Sequence, residues 1–135
     1  MILMDGFPYN PEQLPPLVLA YIGDAVYELA IRQYLAGRGL TRVNQLHRET
    51  IKYVRADNQA RVLRALEDKL LPEEAALARR GRNAKSGHPP HGADVSAYRH
   101  STGLECLIGY LYLAGRHHRL AEIMALARQA VEERQ

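Results

Sequence analysis

A chain of 135 residues with one cysteine and a net charge of +3 is long enough to bury about two-thirds of its unfolded surface, and predicts one domain over residues 1–135. The lone cysteine excludes an internal disulfide and fits a reducing, cytoplasmic setting. Asp24, Glu28 and Arg32 interrupt the best apolar run short of the roughly 18 residues of a membrane span, and Met1 to Gln13 lacks the basic start and cleavage pattern of a secretory leader.

Residues 1–13 read as an irregular arm, because Pro8, Asn10 and Pro11 oppose regular structure. Pro15 and Pro16 suit a helix entry, where the missing N–H costs nothing. The first predicted helix runs to about Leu35 and stops at Gly37-Arg38-Gly39. Thr41 is placed to cap a second helix whose apolar stripe is Val43, Leu46, Thr50, Ile51 and Val54. Asp57 is placed to cap a third, with Ala60, Leu63, Leu66 and Leu70 inward. Pro72-Glu73-Glu74 has the form of a first turn, its acids favoured by the helix dipole. From Gly81 to Gly92 the composition turns to Gly, Pro, Ser, His and basic residues, and a loop is expected. Helix resumes at Asp94 or Ser96, breaks near Gly115, and ends in an amphipathic segment through Leu120, Ile123, Met124, Leu126, Ala127 and Val131. No strand-like alternation persists, so the fold class is all-α.

Two of these helices pose a chemical question. The run from Leu17 to Leu35 is apolar on nearly every side and reads as buried, yet Asp24 sits in its middle. Aspartate is almost never fully buried unless paired or bound to metal. One other stretch, residues 101–113, is alike: mostly apolar, with one acid, Glu105, and Gly109 one turn later. At 100° per residue Asp24 shares its face with Ala20, Tyr27, Glu28 and Ile31, and Glu105 shares its own with Ser101, Ile108 and Tyr112. Helices crossing near Gly23 and Gly109 would bring the carboxylates together at a cleft edge. Without a cation they would repel, and one would hold its proton. With Mg²⁺ they become a hard-oxygen site of the kind used on phosphates, better suited to Mg²⁺ than to zinc. Cys106, about 100° from Glu105, reads as a small core residue. The charge distribution agrees with a phosphate ligand: Arg79, Arg80, Arg82 and Lys85 lie within seven residues with no acid among them, the footprint of a polyanion contact.

These motifs resemble those of a known family. Tyr21-Ile22-Gly23-Asp24-Ala25-Val26-Tyr27-Glu28-Leu29 is similar to the ribonuclease III signature, and Leu104-Glu105-Cys106-Leu107-Ile108-Gly109 to that family's second acidic motif. Lys85-Ser86-Gly87 matches a Lys-Ser-Gly between the two, and Asn58 falls near the family's Arg-Gly-Asn. Within the family the chain resembles the bacterial Mini-III branch, an endonuclease domain without a double-stranded-RNA-binding domain. Arg80-Gly81-Arg82-Asn83-Ala84-Lys85 and Tyr98-Arg99-His100-Ser101-Thr102 carry that part of the likeness. The resemblance implies a ribonuclease III-like helical domain that cleaves double-stranded RNA with Mg²⁺, Mn²⁺ substituting, by in-line attack of water on phosphorus.

Asp24 and Glu105 then serve as catalytic and metal-holding residues, and Arg79, Arg80, Arg82 and Lys85 as RNA contacts. The resemblance also implies a homodimer with one active site per subunit, 23S ribosomal RNA precursor as substrate, and a large-subunit ribosomal protein as helper. The chain departs from the classical pattern at two of four acid positions, which hold Ala20 and Thr102. Glu28 and Thr102 are the candidates to complete the metal surroundings.

Three other readings compete. A non-catalytic RNA-binding or ribosome-associated module would use the same fold without cutting. Arg42 and His47 have the spacing of metal-independent HEPN ribonucleases. His88, His91, His117 and His118 invite zinc, but no cysteine or carboxylate cluster completes a tetrahedral set.

Overall fold

Six α-helices and two single 3-10 turns make up the computed structural model, which describes residues 6–84, 92 and 94–133; among these there is no strand. The helices are α1 (Pro16–Gly37), α2 (Val43–Val54), α3 (Ala56–Leu66), α4 (Pro72–Asn83), α5 (Val95–Leu113) and α6 (His117–Glu132). The 3-10 turns are Pro11–Gln13 and Glu67–Lys69.

Helix α5 is the axis of the molecule. It packs mainly on α1, then on α4 and α3, and more lightly on α6. Such a helix must be apolar on all sides, and Leu104, Leu107, Ile108 and Leu111 are fully buried on its different faces. Each such side chain contributes roughly 1.5–3 kcal/mol by leaving water. Small residues set how closely its neighbours approach. A methyl group on Gly23 of α1 would collide with the Glu105 carbonyl, and one on Gly109 with the Leu19 carbonyl, so the two backbones touch directly. A second glycine crossing joins α4 to α5: a Cβ on Gly103 would lie 2.7 Å from the Ala78 carbonyl oxygen, and one on Gly81 2.6 Å from Cys106 Cβ.

Several sequence expectations are corrected here. Helix α1 is not buried all round: Val18, Tyr21 and Leu29 are exposed, Tyr21 by 78%. Thr41 and Asp57 do not cap. Arg42 and Arg55 occupy those positions without side-chain caps, and Asp57 lies inside the first turn of α3. In α2, Thr50 is buried as expected, but Val43 and Ile51 face solvent and Tyr53 turns inward. Helix α4 runs through Gly81 to Asn83, where a loop was expected; Gly81 is a contact glycine there rather than a breaker.

Glu74 stands in the first turn of α4, as expected, and is completely buried there. Arg119 grips it with two bonds of 2.9 and 2.8 Å, and the Leu71 N–H donates to it over 2.9 Å. Arg119 also donates to the Lys69 carbonyl, tying α6 to the entry of α4. At the other end of α6, Tyr34 and Tyr53 both donate to Glu132, over 2.7 and 2.8 Å.

Candidate active site

The α1–α5 crossing fixes where the two singled-out acids sit. Gly23 precedes Asp24, and its contact with the Glu105 backbone leaves no room for a side chain between the helices at that level. The Asp24 and Glu105 carboxyl groups are hydrogen-bonded to each other. Asp24 is exposed and borders a groove, whereas Glu105 lies behind it, half-buried. Burial, followed by the Asp24 charge and the hydrogen bond to Asp24, pushes the Glu105 carboxyl up from 4.5 to about 8. Two carboxylates this close share a proton rather than both ionise. A divalent cation can take the place of that proton, so the donor set fits a hard, oxygen-seeking metal. Among the described residues no cluster of three His, Cys, Asp or Glu forms.

Two further side chains complete the inner wall. Gln59 of α3 is 2% exposed and hydrogen-bonds Glu105, which favours the ionised carboxylate. Tyr27, fully buried one turn beyond Gly23, donates to the Tyr53 carbonyl over 3.4 Å. Burial, then the nearby Glu105, raises the Tyr27 hydroxyl well above its ordinary value, so it stays a neutral donor. Sequence reasoning missed Gln59. The signal was a polar residue in phase with Leu63 and Leu66, on the buried stripe of α3.

The other candidates separate. Glu28, one turn after Asp24, pairs with Arg32 at 2.8 Å. Thr102 is buried with its hydroxyl donating to the Tyr98 carbonyl over 3.0 Å, and Ala20, at the other family acid position, is buried as well. Arg79, Arg80 and Arg82 stand on α4, not on a loop. Arg80 is committed within the chain, donating to the carbonyls of Glu12 and Leu14 over 2.9 and 3.2 Å; it fastens the arm before α1. Arg79 is exposed and Arg82 half-buried. Lys85, like His88 and His91, lies outside the described residues. Asn58 binds the Lys52 carbonyl and receives Arg61, closing the α2–α3 corner. His47 is exposed, and His117 packs edge-on against Tyr112.

The groove bordered by Asp24 has a volume of about 1100 Å³ and runs between α1 and α6, with Ile22, Val26, Leu29, Leu120 and Met124 along it. It is continuous with the exposed apolar side of α1. Helix α5 is spent on the core of its own chain.

Comparison with known proteins places the fold in a family. A model of the ribonuclease III domain matches residues 17–116. The chain is 49% identical to the Mini-ribonuclease 3 of Symbiobacterium thermophilum, covering 93% of this chain and 97% of that protein. It is 52% identical to the Mini-ribonuclease 3 of a Thermoanaerobacter species, covering 96% and 97%. A crystal structure of a Fusobacterium nucleatum protein superposes with a TM-score of 0.77 at 27% identity, covering 87% of this chain and 93% of that one.

Proposed function

Starting from a chain that belongs to the ribonuclease III family and is an endoribonuclease, we propose that it cleaves double-stranded RNA with Mg²⁺ held by Asp24 and Glu105, Mn²⁺ serving as a substitute. The observation that carries this reading is the carboxyl pair brought together at the Gly23–Gly109 crossing. Asp24 faces the groove and is the carboxylate a phosphate ligand would meet first. Glu105, behind it, would hold the cation together with Asp24 and give up its proton to do so. When bound there, Mg²⁺ would stabilise the charge that develops on the phosphate oxygens during in-line displacement. Two protein carboxylates leave coordination positions for water and for the RNA itself, as is usual for Mg²⁺ on phosphates. Arg79 and Arg82, which are not fastened to the arm, are the α4 residues suited to contact phosphates, with Lys85 beyond them. A-form RNA hides its base edges, so recognition is by shape and backbone.

The exposed apolar side of α1 and the adjoining α1–α6 groove support pairing with a second copy of the chain. An isologous contact of this kind would place two sites along one duplex, each cutting one strand. Precursor 23S ribosomal RNA is the proposed cellular substrate and a large-subunit ribosomal protein the proposed helper. Cleavage of a long RNA duplex, assayed with Mg²⁺, with Mn²⁺ and with chelator, tests the chemistry: activity should appear with either cation and vanish with chelator. Undiminished cutting in chelator would remove the metal from the mechanism.

A further inference from the structure

Helix α3 contributes one polar side chain to an otherwise apolar inner face. Ala60, Val62, Leu63 and Leu66 are all buried on this helix, and Gln59 is buried with them. A primary amide in such a place costs free energy unless its polar atoms are satisfied. Its side-chain partner is the Glu105 carboxyl, on the helix against which α3 packs.

The residue type suits this post. A lysine or arginine would also hold Glu105, but by neutralising it, as Arg119 does for Glu74. A third carboxylate would add to the repulsion already present between Asp24 and Glu105. An apolar residue would leave the inner oxygen of Glu105 without a donor. An amide donates a hydrogen bond, fixes the rotamer, and leaves the negative charge of the pair intact for a cation. Through Glu105, Gln59 also couples the α1–α5 crossing to α3.

We propose that Gln59 is the positioning residue of the metal site: its buried amide orients the Glu105 carboxylate toward Asp24 and sets the affinity of the pair for a divalent cation. The inference rests on the reading that Asp24 and Glu105 hold the metal. Groups that orient a ligating side chain from behind typically change metal affinity by 10–100-fold when removed, and that is the scale expected here.

The test uses Gln59→Leu and the volume-conserving Gln59→Met, with Leu63→Ala as a control that loosens the same helix without touching the acids. Mn²⁺ binding to each protein without RNA is measured by calorimetry. The Mg²⁺ concentration giving half-maximal duplex cleavage and the melting temperature are measured on the same preparations. Both Gln59 variants should weaken Mn²⁺ binding and raise the Mg²⁺ midpoint by 10–100-fold, with much of the maximal rate returning at saturating Mg²⁺ and duplex affinity unchanged. Leu63→Ala should lower the melting temperature and leave both midpoints in place. Wild-type midpoints in either folded Gln59 variant, or shifts no larger than those of Leu63→Ala, would overturn the proposal. Asp24→Asn separates the two layers. If it abolishes Mn²⁺ binding while the Gln59 variants bind normally, Gln59 loses its role and the metal reading stands; if it too binds normally, both fall.

Discussion

Glu74 and Glu105 are both glutamates drawn into the interior from helices that touch α5 or belong to it, yet they live under opposite electrostatics. Around Glu74, burial alone would raise the carboxyl, but hydrogen bonds from Arg119 and Leu71 together with the Arg119 charge offset it and hold the group below its ordinary value. Glu105 meets an amide and another acid, with no cation, and is pushed up. A carboxylate supplied with a cation by its own chain has nothing left to bind; one set against a second carboxylate is, in the proposed reading, the one left to take a cation from outside. The contrast separates an acid neutralised within the fold from one that is not, more clearly than burial does.

The largest expected effect lies at the unpaired acid. Asp24→Asn and Glu105→Gln keep shape while removing a charge. Each should lower duplex cleavage by roughly a hundredfold or more, the scale of losing transition-state charge stabilisation, while gel-shift affinity for duplex RNA persists. A folded Asp24→Asn protein that still cuts near the wild-type rate would erase the distinction between the two acids.

At the paired acid the effect moves to stability. Arg119→Met strands a buried carboxylate and should cost about 3 kcal/mol in denaturant unfolding, with the cleavage rate per folded molecule unchanged. A large loss of rate in folded Arg119→Met would mean that the α4–α6 tie also serves the site.

The two acids should also give stability opposite pH dependences. Glu74, with its lowered carboxyl, contributes stability that is present above the ordinary value of 4.5 and lost as pH falls through the folded value. Glu105 keeps its proton in the fold up to about 8 but loses it near 4.5 when unfolded, so metal-free stability should decline as pH rises between those values. Thermal melting in chelator should show Glu105→Gln abolishing that decline, so that the variant melts above wild type at pH 8.5. Identical pH profiles for the two proteins would contradict the shared proton.

The smallest effect concerns the cations of α4. Neutralising Arg79 and Arg82 should flatten the salt dependence of duplex binding by about one unit of slope per lost phosphate contact. Arg80→Ala, which releases the arm, should act on melting temperature instead. A salt slope that responds to Arg80 alone would reverse this division.

The sequence by itself determined the helical class and nearly all helix positions, which follow from local periodicity, and it singled out the two acids by the cost of an aspartate or glutamate inside an apolar run. It also placed the crossing at Gly23 and Gly109, since small residues beside the acids were visible in the chain. Only the tertiary structure decided what depends on a partner far away in sequence. Gln59 faces Glu105 from 46 residues upstream, and Glu74 meets Arg119 from 45 residues away; no local pattern encodes either pairing. The exposed side of α1 likewise escaped the periodicity, because an apolar surface that meets solvent or another chain reads, residue by residue, like one that meets the core. Gly81 carries the same lesson. In sequence a glycine before a basic, proline-rich stretch signals a break, and only the close passage of α5 turns it into a contact.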